Sequence, residues 1–227
     1  YRCYAFLYIL NIREYIEDNG GSYYFNTKLT GFETENGRIK KALCEGKISS
    51  FDTDTVILCQ GHSARDTYEM LRSFGVKLSR KPFAMGVRVQ HPQEMIDRAL
   101  YGNNETERKI KALGHASYKL THECSNGRSV YSFCMCPGGY VINSSSEEGR
   151  LCINGMSYSD RESGNANAAL VVNVNPDDFP ADDVLSGVDF QKALEEKAYS
   201  LLSGLIPYET YGEFKKNEKN PIGESRF

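Results

Sequence analysis

The sequence lacks both of the glycine patterns that most directly predict a bound nucleotide. Neither Gly-x-Gly-x-x-Gly nor Gly-x-x-x-x-Gly-Lys occurs among its 227 residues. Glycines in these patterns let the backbone turn tightly and approach phosphate groups. Any nucleotide site predicted from this sequence therefore rests on weaker signals, and we expect the main nucleotide-binding segment to lie elsewhere.

Long apolar runs and an excess of one charge are also missing. No run approaches the roughly 20 apolar residues that span a bilayer. The net charge is −3 and there is no basic stripe, so we expect neither a membrane span nor a nucleic-acid partner. The seven cysteines are odd in number and scattered. This favours free thiols in a reducing compartment and predicts a cytoplasmic protein.

The chain changes character twice along its length. Residues 1–75 alternate between helix and strand, residues 76–205 contain mainly β patterns, and residues 206–227 form a polar connecting tail. We predict an α+β (α/β) fold with two parts, because a chain of this length can bury two small cores. The first part is a partial Rossmann-like half with a β-meander. The second is an inserted, mainly antiparallel β domain with flanking helices.

The first part is predicted to begin with an amphipathic helix. Ile9 and Ile12 belong to an apolar set at helical spacing, and we expect this helix to begin before the first residue. Strands are predicted at residues 22–25, 28–34, 38–44 and 55–59. The Asn36-Gly37 pair between the middle two is a strong hairpin signal. Residues 55–59 are apolar without alternation, which is typical of a buried parallel strand.

Gly61, His62 and Ser63 follow the last of these predicted strands. In open α/β proteins a loop beyond the carboxyl end of a strand commonly holds a nucleotide. Exposed amides at a helix start also favour an anion such as a pyrophosphate. The alternative is that Ser63 and Asp66 form a loose capping box. The pattern alone favours this capped helix, because capping boxes are common.

The second part contains several β patterns in succession. Strands are predicted at residues 82–89, 118–121, 129–135, 139–143, 151–156 and 168–174. Pro92 predicts a helix start, and Met95, Ile96 and Leu100 continue its apolar face. The polar residues 102–111 predict a mobile loop. Phe190, Leu194, Ala198 and Leu201 recur at helical spacing and predict an amphipathic helix.

A cysteine-rich strand end is the second candidate site. Cys134 and Cys136 are two residues apart, so we expect their side chains on one face of a strand. Gly138 and Gly139 follow Pro137 and expose a bare turn against which a flavin or a substrate could lie. Three alternatives remain, namely two buried cysteines beside a hairpin turn, a redox disulfide, or a metal site.

The metal alternative combines Cys134 and Cys136 with His122 and Cys124. Each pair has a one-residue gap, whereas structural zinc more often uses gaps of two to four residues. Redox dithiols usually have two residues between their cysteines. We therefore predict no metal.

Residues 154–167 form a third candidate region, dense in hydroxyl and amide side chains between two apolar strands. Tyr158, Asp160 and Arg161 are its candidates for hydrogen bonding to a ligand. A solvated surface loop is the alternative, and it is the commoner origin of such polarity. His91 and His115 have no partner close in sequence, so we interpret them as core or surface residues.

Five longer motifs resemble one family of flavoproteins. They begin at residues 61, 81, 118, 130 and 154, and they read Gly-His-Ser-Ala-Arg-Asp-Thr, Lys-Pro-Phe-Ala-x-Gly-Val-Arg, Tyr-Lys-Leu-Thr-His, Val-Tyr-Ser-Phe-Cys-Met-Cys-Pro-Gly-Gly-Tyr-Val and Asn-Gly-Met-Ser-Tyr-Ser-Asp-Arg. Together and in this order they resemble the bacterial, uncharacterised FAD-dependent dehydrogenases, which are also labelled NAD-utilising dehydrogenases. The resemblance extends over about residues 13–205.

The resemblance implies an FAD-dependent oxidoreductase that acts on a small-molecule substrate, with NAD(P)H as a candidate partner. In such flavoproteins an N-terminal strand–turn–helix grips the FAD pyrophosphate and a C-terminal Gly-Asp segment closes the site. Neither is present in this sequence, so we expect an internal fragment that binds FAD weakly or not at all alone and is inactive by itself. The alternative is a non-catalytic binding or structural module, with a Cys/His metal site.

The resemblance also assigns the candidate residues. Gly61, His62 and Ser63 correspond to a turn that passes near the cofactor, which reverses the preference for a merely capped helix. The substrate-side candidates lie in the inserted domain and are Cys134, Cys136, Gly138, Gly139, Tyr158, Asp160 and Arg161. The resemblance identifies no catalytic acid or base.

Overall fold

The computed structural model describes residues 4–216, with side chains from residue 7 onward. The chain divides into two compact units, Tyr1–Leu78 and Ser79–Phe227. Helices and antiparallel sheets make up both units, which confirms the predicted α+β class. No helix in the described part of the chain is both long enough and apolar enough to cross a bilayer.

The first unit consists of a three-stranded antiparallel meander with two helices. Its elements are α1 (Tyr4–Asp18), β1 (Thr27–Glu35), β2 (Arg38–Gly46), β3 (Ser50–Asp52) and α2 (Arg65–Ser73). The strands are hydrogen-bonded in the order β1-β2-β3. Asn36 and Gly37 both have positive φ, at 51° and 74°, which is the backbone that a tight hairpin of this type requires. The predicted hairpin and the meander are therefore confirmed.

Two strands predicted for the first unit do not form. Residues 22–25 and 55–59 have no strand conformation, and the side chain of Ile57 is 83% exposed. A parallel strand is stabilised by hydrogen bonds to neighbouring strands and by burial of both faces. None of the described strands pairs with residues 55–59. The expectation of a buried return strand at this point was wrong for this structure.

The predicted first helix is confirmed from Tyr4 onward, and its first residues lie outside the described part of the chain. Its apolar side chains are nevertheless largely exposed. Ile9 is 65% exposed, Ile12 is 58% exposed and Tyr15 is 70% exposed. Helical spacing of apolar residues thus predicted the helix but not its burial.

The second unit is built on a four-stranded antiparallel sheet with the strand order β4-β9-β6-β5. The strands of this sheet are β4 (Phe83–Pro92), β5 (Thr121–Glu123), β6 (Ser129–Pro137) and β9 (Asn165–Val174). A separate hairpin of β7 (Gly139–Asn143) and β8 (Ile153–Ser157) contacts β4, β6 and β9. Ala166 and Ala168 on β9 are fully buried, and their small side chains allow close packing at the centre of the sheet.

Helices flank this sheet, and two of them were not predicted. The helices are α3 (Gln93–Tyr101), α4 (Thr106–Leu113), α5 (Ser186–Leu201) and α6 (Tyr211–Lys216), with a short 3-10 helix at Pro176–Asp178. α5 confirms the amphipathic helix predicted around Phe190. α4 replaces most of the mobile loop predicted at residues 102–111, since its high polarity reflects an exposed helix rather than a loop. α6 lies in the predicted polar tail, of which residues 217–227 fall outside the described part.

The close approach of β4 and β9 at Gly86 gives a stability prediction. A Cβ built on Gly86 lies 2.8 Å from the Val171 Cα, and it also meets the Leu170 carbonyl group. We expect Gly86→Ala to destabilise the protein by about 1–3 kcal/mol, because backbone atoms must move apart. Urea unfolding measures the change.

Gly164→Ala is the matched control for Gly86→Ala. A Cβ at Gly164 meets no atom within 4 Å. Its unfolding midpoint should stay close to that of the unaltered protein. Equal midpoints for the two variants would contradict the tight β4–β9 packing.

Candidate functional site

The predicted cofactor turn is an exposed glycine turn in the first unit. Gly61 has a φ of +73°, and a Cβ built on it would meet nothing within 4 Å. The Tyr68 hydroxyl donates a hydrogen bond of 3.2 Å to the Gly61 carbonyl oxygen and so ties the turn to α2. His62 and Ser63 are exposed. The backbone at this turn is therefore open to a ligand.

The start of α2 differs from the predicted capping box. Ala64 is the N-cap residue, and no side chain caps the helix there. The Ser63 hydroxyl instead lies 3.5 Å from His62 Nε2. The amides of residues 61–64 meet no acceptor within the described part of the chain. Ser63 is thus not a cap, and these amides remain available as donors.

An ion pair fixes the first turn of α2 against β1. Lys28 Nζ lies 2.5 Å from an Asp66 carboxylate oxygen, and the other Asp66 oxygen accepts a hydrogen bond from the Thr67 amide. The hydrogen bond from Lys28 is the main reason why the pKa of Asp66 lies below its ordinary value. Both side chains are more than half exposed, so the ion pair mainly orients the helix.

This ion pair predicts a pH dependence. A lowered carboxyl pKa stabilises the fold above the ordinary pKa of about 4, and that stabilisation is lost as the pH falls through the lower folded-state value. We expect Asp66→Asn to lower the melting temperature slightly at pH 7, and this effect to shrink as the pH falls below the ordinary carboxyl pKa of about 4. The control is Asp54→Asn, at an exposed position that accepts a hydrogen bond from the Thr55 hydroxyl but forms no ion pair among the described residues. An Asp66→Asn effect that did not shrink with falling pH would contradict the ion-pair explanation.

The second candidate region contains a β-bulge in β6. Phe133 pairs with Ala169 and Cys136 pairs with Asn167, so two residues of β6 oppose one residue of β9. Cys134 has a φ of +45°, which is uncommon for a residue with a side chain. The bulge disrupts the alternation that predicted two equivalent cysteines. Cys134 is exposed, whereas Cys136 is half-buried and donates its thiol hydrogen to the Cys134 carbonyl oxygen.

Arg88 on β4 lies behind this bulge and was not selected from the sequence. Its Nη1 donates to Asn167 Oδ1 at 2.5 Å and to the Cys134 carbonyl oxygen at 3.4 Å. Its Nη2 donates to Asn154 Oδ1 at 2.9 Å. Asn167 is fully buried, and its Nδ2 has no hydrogen-bond partner. The guanidinium group thus links β4 to β6, β8 and β9. In the sequence, the only indication of this role is one charged residue within a mainly apolar strand pattern.

Two glycines of the predicted bare turn are buried rather than exposed. Gly138 has a φ of +64° and lies against the Arg161 backbone, where a Cβ would not fit. A Cβ on Gly139 would lie 3.0 Å from Asn167 Nδ2. These glycines therefore allow close packing between strands. Their burial corrects the expectation that this turn exposes its amides to a ligand.

The third candidate region forms the turn that follows β8. The Arg161 amide donates to the Tyr158 carbonyl oxygen at 3.1 Å, and Arg161 has a φ of +56°. Asp160 Oδ1 accepts a hydrogen bond of 3.2 Å from the Glu162 amide. The side chains of Tyr158, Asp160 and Arg161 are exposed. Because Gly138 contacts Arg161, the structure brings this turn next to the end of β6.

The alternative metal site is not assembled in the structure. His122 pairs with Val130, whereas Cys136 pairs with Asn167 further along β6. At about 3.4 Å per residue, the two halves of the proposed ligand set are separated by well over 10 Å. No group of three or more metal-binding side chains occurs among residues that the structure describes. Antiparallel register is the physical reason for the separation.

A buried polar cluster beside α3 was also missed. Asp97 is 2% exposed, and its carboxylate accepts hydrogen bonds from the Ala116 amide at 2.7 Å and from Gln93 Nε2 at 3.0 Å. His115 Nδ1 lies 2.8 Å from its other oxygen. Gln93 is four positions from Asp97, but His115 and Ala116 are 18 and 19 positions away, so no local pattern could reveal these two partners. A second polar pair joins two residues on either side of this cluster in the sequence. His91 Nε2 lies 2.9 Å from the Tyr118 hydroxyl oxygen, and burial raises the pKa of Tyr118.

The Asp97 cluster predicts a strong stability effect. Asp97→Asn replaces one oxygen of this buried carboxylate by an amide group and weakens the hydrogen bonds that the carboxylate accepts, so we expect a loss of about 1–3 kcal/mol in the free energy of unfolding. Urea unfolding measures this loss, and faster hydrogen exchange at the Ala116 amide localises it. The exposed Asp54→Asn is the control. An Asp97→Asn variant as stable as that control would show that the hydrogen bonds of the carboxylate contribute little.

These features define a class of protein with a helix-flanked antiparallel domain and a polar cluster at a strand bulge. The model of a protein family described as FAD-dependent protein, C-terminal domain-like, matches residues 82–225. The chain therefore belongs to this family of FAD-dependent proteins.

A longer relative is similar in sequence over almost the whole chain. Over 220 residues the chain is 44% identical to an uncharacterized protein of Clostridium beijerinckii. The match covers 95% of this chain but 40% of the relative. The chain thus spans well under half of the length of the curated relative that it matches.

Proposed function

We propose that the chain is part of an FAD-dependent oxidoreductase that acts on a small molecule. The family match over residues 82–225 supports the link to FAD. The single structural observation that supports a substrate site is the Arg88 guanidinium, which is held behind a strained bulge by two asparagine side chains. Unusual backbone angles that are maintained by surrounding hydrogen bonds are found frequently at functional sites.

On the cofactor side, we propose that Gly61, His62 and Ser63 contact FAD. The open space at Gly61, the amides without acceptors and the nine-residue helix α2 suit a negatively charged phosphate. The chemistry of this turn therefore fits the group. When bound, a flavin supplies the hydride chemistry, while the protein positions the reacting groups.

On the substrate side, we propose that Cys134, Tyr158, Asp160 and Arg161 contribute side chains from the exposed rim of the site. Cys136, Gly138 and Gly139 have a supporting role instead. The half-buried thiol of Cys136 bonds to the Cys134 carbonyl oxygen, and the two glycines let strands and turn approach closely. The Cys134 carbonyl oxygen that is held in this way also accepts a hydrogen bond from Arg88 and so helps to fix the guanidinium group.

The finer features of the proposal follow from the sequence motifs. The resemblance supports the proposal that the enzyme is a dehydrogenase with NAD(P)H as its partner. It also supports the proposal that a Rossmann-like domain binds the FAD. A reducing, cytoplasmic location is supported by six cysteines that are free thiols among the described residues.

Flavin content tests the proposed function. We expect the full-length Clostridium beijerinckii relative to purify with a flavin absorbance band near 450 nm, roughly one FAD per chain. The 227-residue chain should bind added FAD weakly or not at all, because its sequence contains no Gly-x-Gly-x-x-Gly pattern. Absorbance and fluorescence titration with FAD measure both.

Two results would contradict the proposal in different ways. A full-length relative that purifies colourless and does not take up FAD would overturn the link to a flavin. Tight FAD binding by the 227-residue chain would overturn only the expectation that this segment is insufficient. In the full-length protein that contains this chain, Gly61→Val should reduce FAD uptake. Gly127→Val is the control, because Gly127 has a similar positive φ and equally open surroundings.

A further inference from the structure

We propose that Arg88 binds an oxyanion, a carboxylate or a phosphate group, of the substrate. This inference rests on the proposed function, because it assumes that the bulge site faces a substrate. It goes further by naming the chemical class of ligand and the side chain that recognises it. Arg88 has three properties that suit such a ligand, namely an unbalanced charge, unused hydrogen-bond donors and a fixed position.

The charge of Arg88 is not balanced within the described part of the chain. Its three hydrogen-bond acceptors are two amide oxygens and one backbone carbonyl oxygen, all of them neutral. None of the carboxylates that the structure describes forms an ion pair with it. The side chain is half-buried. Charges removed from water are normally paired, so a ligand that brings the missing negative charge would be favoured here.

The hydrogen-bond inventory of the guanidinium leaves donors for such a ligand. An arginine side chain has five N–H groups. Asn167 and the Cys134 carbonyl accept from Nη1, and Asn154 accepts from Nη2. One Nη2 hydrogen and the Nε hydrogen have no acceptor among the described residues. Nε is not among the buried atoms that lack a partner, so it reaches the surface.

The position of Arg88 is fixed before any ligand arrives. Asn167 is fully buried and orients Nη1, while the absence of a side chain at Gly155 provides the space for the guanidinium carbon. Asn154 Oδ1 is itself held by the Gly155 amide at 2.8 Å. A planar guanidinium held in this way can form paired, charge-assisted hydrogen bonds with the two oxygens of an oxyanion. Little conformational entropy is then lost on binding.

Asp160, the acidic residue among the substrate-side candidates, does not neutralise the charge of Arg88. Asp160 is exposed, and its carboxylate accepts a hydrogen bond from the Glu162 amide. Asn167 Nδ2, a fully buried donor without a partner, lies beside Gly139. The interior of the site thus contains donors in excess of acceptors. This excess favours a ligand with oxygen acceptors over a cation.

Binding of small anions to the purified protein tests this inference. The probes are succinate, inorganic phosphate and, as an uncharged analogue of succinate, succinamide. We expect succinate or phosphate to shift the NMR signal of the Arg88 Nε–H group, and succinamide to leave it unchanged. The anion that binds more tightly distinguishes a carboxylate from a phosphate. The Arg88→Met variant, which lacks the signal, assigns it.

Variants then test the residue itself. Arg88→Met should weaken the binding of the preferred anion by about tenfold or more, since hydrogen bonds to a charged group are lost. Arg98→Met removes an exposed arginine that pairs with Glu94 on α3 and should leave the affinity unchanged. Circular dichroism and the melting temperature establish that both variants are folded. If Arg88→Met does not fold, through-bond NMR experiments on the unaltered protein assign the Arg88 Nε–H signal, and its shift with each anion decides the question.

Three outcomes would overturn the inference. They are equal affinity of Arg88→Met and the unaltered protein, an equal response to succinamide, and no binding of either anion. Flavin content is measured independently on the full-length relative. A flavin-containing relative, together with anion binding to this chain that does not depend on Arg88, would refute this inference and leave the proposed function intact. A colourless relative, together with Arg88-dependent anion binding to this chain, would do the reverse.

Discussion

The double pairing of β9 is the constraint on which the second unit depends. This strand lies between β4 and β6, so its backbone groups form ladders on both of its edges. Asn167 marks the critical position, because it pairs with Gln90 on one side and with Cys136 on the other. A side chain at this point is buried on all sides. An asparagine can occupy it only because Arg88 supplies a donor for its oxygen.

The bulge in β6 follows from the same constraint. β6 pairs with β9 up to Phe133 and again from Cys136, and the extra residue between these points alters the direction of the Cys134 carbonyl group. That carbonyl accepts from both Arg88 and the Cys136 thiol. Two hydrogen bonds thus offset part of the cost of a left-handed backbone at a residue with a side chain, which is about 1–3 kcal/mol. The bulge and the arginine stabilise each other.

Sequence patterns predicted those elements whose signals are local. The Asn36-Gly37 hairpin requires only a turn with positive φ, and the run from 139 to 143 forms β7 with the predicted bounds. The strand expected at 55–59 was wrong because a buried strand depends on partners that a local pattern does not contain. Residues 102–111 form most of a helix, since charged residues suit an exposed helix as well as a loop.

Sequence motifs selected two regions that the structure brings together, but they did not select the arginine that lies between strands beside them. Two of the three predicted polar regions do meet, because Gly138 packs on the backbone of Arg161. Alternation along a strand predicted that Cys134 and Cys136 lie on the same face. The extra residue of the bulge instead leaves Cys134 exposed and Cys136 half-buried. Arg88 was visible in the sequence only as one charge among apolar neighbours. Its three partners are 46, 66 and 79 positions away, which is beyond the reach of any local pattern.

The roles of backbone and side chain at Cys134 can be separated by their contacts. The carbonyl group of Cys134 carries the interactions that hold Arg88, and any residue in the same backbone conformation would supply it. A glycine would adopt that conformation at lower cost. The exposed thiol is therefore not needed for the fold, and it lies on the same residue whose carbonyl orients the guanidinium.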